Sequence, residues 1–145
     1  MPLYNPMSLE TVEAELSAAS YSLTTNTYET VGCTLTSLRP GRWHITGKVR
    51  SIVQCSVGAG YITHRLYNTT AAAAIAGSES IGPIAIATGV PYPENAPIDK
   101  VITLTATSTI DLQSVTPAGY TYTVRDLYTD ADGRTTLTAT YLGPV

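Results

Sequence analysis

Residues 43–57 read WHITGKVRSIVQCSV, and this run alternates almost without fault. Trp43, Ile45, Gly47, Val49, Ser51, Val53, Cys55 and Val57 fall on one side. His44, Thr46, Lys48, Arg50, Ile52, Gln54 and Ser56 fall on the other. Side chains on a strand point to opposite faces in turn, so the pattern predicts a long strand with one buried and one wet face. It starts directly after the turn pair Pro40-Gly41. A strand roughly twice the common length crosses the whole body of a two-sheet β protein.

The rest of the chain agrees with that class. Its 145 residues suffice for one domain with a real core. Charged residues make up only 13% against about 25% in an average domain, while hydrophobic content is 43%. Thr and Tyr are plentiful and favour strands. Phe is absent, so Trp43 and ten Tyr carry the aromatic packing. A low-charge, Tyr-rich surface suits an assembly, because Tyr places an apolar ring and a polar tip at an interface.

Residues 1–10 read as an arm, in which Pro2 and Pro6 prevent regular structure and Tyr4 and Met7 can grip a neighbour. Residues 11–145 read as a single domain. Ser8–Leu16 fits a helix or a strand; a strand is preferred because everything after it is β. Two short strands are expected around Asn26, and Gly58-Ala59-Gly60 is a hinge. Further strands are expected at Tyr61–Asn68, after the alanine run 71–74, and once or twice within Lys100–Thr116. Pro91–Pro97 (PYPENAP) reads as a loop, since prolines interrupt a central strand. Its Tyr92, Glu94 and Asn95 are candidate contact residues. Asp130–Gly133 (DADG) between two alternating runs is a hairpin signal. Eight to ten strands and no long helix predict an antiparallel two-sheet sandwich or jelly roll.

Chemistry is sparse. Net charge is −3 and Lys48 and Lys100 are the only lysines, which speaks against nucleic acid. No apolar run is long enough for a membrane helix. The opening residues lack the features of a signal peptide, so the expectation is action where the chain is made, or release by lysis. Cys33 and Cys55 are expected reduced, with Cys55 a core residue. His44 and His64 are expected to make surface or inter-subunit hydrogen bonds. Asp130-x-Asp132-Gly133 resembles the start of a calcium loop but lacks the downstream Glu. No nucleophile or phosphate-loop motif is present, so neither enzyme activity nor any metal or cofactor is expected. Were there an enzyme site, it would need Glu94, Asp99, Asp111, Asp126 and Asp130 gathered in a cleft.

The order of pieces has a known look. Residues 21–49 (YSLTTNTYETVGCTLTSLRPGRWHITGKV) lead into the long strand. RLYNTT (65–70), VITLTATSTIDLQ (101–113) and the closing GRTTLTATYLGPV (133–145) follow. This resembles the jelly-roll modules of tailed-bacteriophage virion proteins, similar in fold to tumour-necrosis-factor and complement heads, with Leu142-Gly143 where the closing motif usually has Ile-Gly. The resemblance covers residues 20–145. It implies a homotrimer, and Tyr120, Tyr122 and Tyr141 are the candidates for its interface. Such modules serve as head decoration (cement) proteins or as tips of tail and collar fibres. A chain of this length without a shaft suits a decoration protein. It would be made in the host cytoplasm, sit on the virion capsid and bind the major capsid protein through Tyr4 and Met7 of the arm. The alternative is a receptor- or glycan-binding tip of a tail or collar appendage. On either reading neither nucleic acid nor membrane is a partner.

Overall fold

The computed structural model describes residues 9–86 and 92–145. The arm residues Tyr4 and Met7 lie outside them. Eleven strands follow one another among the described residues: β1 (Thr11–Glu15), β2 (Ser20–Ser22), β3 (Glu29–Leu38), β4 (Gly41–Val57), β5 (Ala59–Asn68), β6 (Ala73–Ala74), β7 (Ser80–Ile86), β8 (Tyr92–Leu104), β9 (Ser108–Val115), β10 (Thr121–Tyr128) and β11 (Thr136–Gly143). They form two antiparallel sheets in a jelly roll. The front sheet holds β1, β2, β4, β8, β10 and β11; the back sheet holds β3, β9, β5, β6 and β7.

The alternating run becomes β4, the axis of the front sheet. Trp43, Ile45, Val49, Ser51, Val53 and Cys55 are buried, as the alternation requires. Val57 departs from it and is 64% exposed, because the strand ends beyond the body. Both edges of β4 are paired. β8 lies along one edge, from Tyr92 opposite Val53 to Leu104 opposite Gly41. The other edge is divided between β10, opposite residues 57–51, and β11, opposite residues 48–42.

Two sequence expectations are corrected here. Residues 92–97 of the expected loop Pro91–Pro97 belong to β8, with Pro93 opposite Ile52 and Pro97 opposite Lys48, while Pro91 lies outside the described residues. Among the described residues β8 pairs with β4 alone, so it is an edge strand there, and a missing N–H need not break a ladder. The two prolines are four residues apart, so both nitrogens face the same edge. The Asp130–Gly133 turn forms, bridged from Asp130 N to Gly133 O at 2.9 Å, but it does not close a hairpin. β10 and β11 lie end to end along β4 instead of pairing with each other. The hydroxyl of Thr135 fills the gap between them. It accepts the Arg50 N–H at 3.0 Å and donates to the Tyr128 carbonyl at 2.7 Å. The excursion is held by Arg50, whose guanidinium lies 3.4 Å from Asp130 Oδ1.

Two of the corners at which the chain changes sheets flank β4. Arg39-Pro40 takes it from β3 to β4, and Gly58 takes it from β4 to β5. Gly58 has φ +78, and a side chain there would sit 2.7 Å from the Tyr120 ring. Only glycine meets both demands without strain.

The core fills the space between the sheets. Trp43 is fully buried, and its indole N–H donates to the Arg39 carbonyl at 2.9 Å. Tyr141 meets it edge-on at 5.1 Å, and Arg39 covers the Tyr141 ring at 3.6 Å. Leu35, Ile45, Leu66, Ile110, Leu112 and Leu137 complete the packing from both sheets. Trp43→Ala removes the largest of these side chains. It should lower the unfolding free energy by about 3–5 kcal/mol, read from the urea midpoint by far-ultraviolet circular dichroism. A change under about 1 kcal/mol would mean that Trp43 is not a core anchor.

Candidate functional site

The three tyrosines expected at a trimer axis divide between the two ends of the sandwich. Tyr141 stands opposite Trp43 and Tyr122 opposite Cys55. Twelve residues of strand, about 40 Å, separate those positions on β4. Tyr120 and Tyr122 come together, with ring centroids 6.3 Å apart in an edge-to-face contact. Tyr122 packs against the space left by Gly60 and donates its hydroxyl to the Pro117 carbonyl at 3.1 Å. Burial, with the neighbouring Cys55 adding to it, pushes the Tyr122 phenol up to about 12. Tyr120 is 40% exposed. Of the residues expected in the loop, Glu94 and Asn95 are exposed on β8, opposite Ser51 and Arg50, and Tyr92 stands opposite Val53.

The five acidic residues do not gather in one cleft, although Asp126 and Asp130 both act on Tyr128. Asp99 lies on β8, where its carboxylate meets His44 Nε2 at 2.7 Å. Asp111 lies on the back sheet and accepts the Thr34 hydroxyl at 2.6 Å. Asp126 accepts the Tyr128 hydroxyl at 3.0 Å. Asp130 accepts the N–H groups of Asp132 and Gly133. No group of three metal-ligating side chains occurs among the described residues. Cys33 and Cys55 are buried and unbonded, and burial pushes the Cys33 thiol up to about 12.

His64 is the main surprise. The sequence suggests a surface or inter-subunit hydrogen bond, yet His64 is fully buried within the chain. Its Nε2 lies 3.1 Å from Ser51 Oγ on the front sheet, and its Nδ1 lies 2.8 Å from Ser114 Oγ on the back sheet. A neutral imidazole offers one donor and one acceptor, and the two hydroxyls rotate to complement it. The trio therefore ties the sheets together across the core. A readable signal existed: His64 shares strand parity with Ile62 and Leu66, both buried. Burial depresses its pKa to about 3. Among the described residues the hydrogen-bond partners of the ring are these two serines. Gly82 on β7 makes the room, since a Cβ there would lie 2.7 Å from His64 Nε2 and 3.0 Å from Ser51 Oγ.

The exposed feature that sequence reading missed is on β7. Ile81, Ile84 and Ile86 are 60%, 59% and 74% exposed. Ile84 and Ile86 alternate with buried Pro83 and Ala85, so they project outward together. Ile86 pairs with Ala59, next to Gly58 and the Tyr120 ring. Exposed Val57 lies at the same end. The result is an apolar stripe on a charge-poor surface.

No family model matches the chain, and no curated protein matches it in sequence. Among solved structures it is similar to Eiger TNF from S. frugiperda, with a TM-score of 0.63 over 94% of each chain and 8% identity. At that identity the likeness establishes the jelly-roll fold alone.

Two outcomes test the buried trio. The unfolded histidine titrates near 6.5 and the folded one near 3. Between those values the unfolded chain binds a proton that the folded one does not. Stability is therefore full above pH 6.5 and falls by about 1.4 kcal/mol per unit below it. His64→Gln should flatten that acid slope by about one proton, measured as the urea midpoint against pH. An unchanged slope would mean that His64 is not buried neutral. Gly82→Ala should destabilise by roughly 1–3 kcal/mol through overpacking, measured by thermal unfolding.

Proposed function

We propose that this chain is a non-enzymatic structural protein of a tailed-phage virion, a trimeric decoration protein that binds the assembled capsid and stabilises it. The observation that carries the reading is the exposed stripe Ile81, Ile84 and Ile86, continued by Val57 and Tyr120. A monomer gains nothing from leaving these side chains in water. Covering a fully exposed side chain of this kind is worth about 1.5–3 kcal/mol, and these partly exposed ones gain a proportionate share. The stripe runs along β7, the side of the back sheet next to edge strand β8, so a second copy can approach without disturbing the core.

The stabilising mechanism follows from mass action. A protein that binds only the assembled shell lowers the free energy of that state. Three linked copies multiply a modest affinity for the major capsid protein without new contacts. Tyr4 and Met7 remain the proposed capsid-facing residues. Tyr120 joins the Ile stripe as a proposed copy-facing residue, whereas Tyr141, stacked under Arg39 beside Trp43, serves core packing.

Light scattering at micromolar concentration should return three times the chain mass. Ile84→Asp with Ile86→Asp should return the monomer mass with an unchanged far-ultraviolet spectrum. A monomeric wild type would remove the trimer from the reading. Imaging of the parent particle with and without the protein tests the location. Density in a threefold lattice on the head, with heads less resistant to heat when it is missing, is expected. Density confined to the tail or collar, with adsorption lost, would overturn decoration in favour of receptor binding.

A further inference from the structure

We propose that the outer face of the back sheet carries a binding site for a neutral saccharide, centred on Asp111. β9 runs through the middle of this sheet, with β3 on one side and β5 on the other. The register sets Thr34 and Tyr67 on either side of Asp111, and Thr30 and Arg65 on either side of Gln113. Asp111 and Gln113 have outward parity, opposite to buried Ile110, Leu112 and Ser114. Yet they are only 7% and 9% exposed, because the flanking side chains close over them. The result is a polar floor inside an aromatic rim.

Each polar group on that floor is already oriented. Asp111 Oδ1 accepts the Thr34 hydroxyl at 2.6 Å, and the second carboxylate oxygen has no partner among the described residues. Arg65 donates to Gln113 Oε1 from Nε at 3.0 Å and from Nη2 at 2.8 Å. Its guanidinium lies 3.5 Å from the Tyr28 ring centroid and 5.7 Å from that of Tyr67. Its Nη1 makes no hydrogen bond among the described residues. A fixed donor and a fixed acceptor therefore stand on adjacent strands as diagonal neighbours, their backbones about 8 Å apart from the sheet spacings.

That pairing selects a class of ligand. An acceptor-only anion is repelled by the Asp111 carboxylate beside Arg65. An apolar chain would leave the carboxylate and the guanidinium desolvated without partners. A sugar ring suits both groups, because each hydroxyl donates and accepts, and two hydroxyls on opposite sides of one ring, each with a hydrogen bond of about 2.8 Å, can bridge them. The Tyr67 ring supplies an apolar surface for the C–H side of the sugar. The site lies beside the Ile stripe, not on it, and its test uses the isolated protein, so its failure is distinct from a failure of the decoration reading.

The test is a titration of uniformly 15N-labelled protein with maltohexaose, chitohexaose and α-1,6-mannotriose, followed by amide correlation spectra. At least one sugar should shift the amides of Thr34, Arg65, Tyr67, Asp111 and Gln113 together, with a Kd of roughly 1 mM. Tyr67→Ala and Asp111→Asn should each raise that Kd about tenfold or more, and the resonances of the front sheet report whether each variant is folded. No shift with any of the three sugars at roughly 10 mM, shifts confined to another face, or an unchanged Kd in Asp111→Asn would each overturn the proposal.

Discussion

The structure depends on a single strand whose two edges are both paired and whose inner face is the core. β4 supplies ladder partners to β8, β10 and β11 and spans the sandwich from Trp43 to Cys55. Its side-chain period is two, so a slip of one residue would turn Trp43, Ile45, Val49 and Val53 to solvent and Lys48 and Arg50 to the core. That penalty sets the register of the whole front sheet. The gap between β10 and β11 is tolerated because the Thr135 hydroxyl takes over for the missing ladder groups of Arg50 and Tyr128.

The second constraint is polar. Ser51, His64 and Ser114 are fully buried between the two sheets. Apolar contacts alone would let the two sheets slide with little penalty, whereas three hydrogen-bonding groups on three strands have few satisfied arrangements. Gly82 packs against the trio, so the trio also positions β7. The outward placement of Ile84 and Ile86 thus rests on hydrogen bonds in the interior. A chain of cause runs from the identity of residue 82, through the seam, to the surface available for assembly.

The surfaces differ in kind. The outer side of the front sheet is rich in Thr, with His44, Lys48, Glu13 and Glu15 among Thr11, Thr46, Thr136, Thr138 and Thr140. The back sheet is divided between the Ile stripe and the Asp111–Arg65 cluster. Few charges are spread over this area, so contacts can form without displacing strongly hydrated groups, at some loss of solubility for the isolated chain.

The alternation of residues 43–57 determined the class, the axial strand and nearly every buried residue on it, because strand periodicity is local. β1, the strands flanking Asn26, the Gly58 corner and the Asp130 turn were legible for the same reason. Only the tertiary structure decided which strand pairs with which. It laid β10 and β11 end to end where the Asp-Gly turn suggests a hairpin. It made a strand of the proline-containing 92–97, because the end of a sheet has one edge without partners. It buried His64 between two serines distant in sequence, separated Tyr141 from Tyr120 and Tyr122, and assembled the Ile stripe. Pairing and convergence depend on long-range contacts that burial selects, and a linear pattern carries no record of which face meets which.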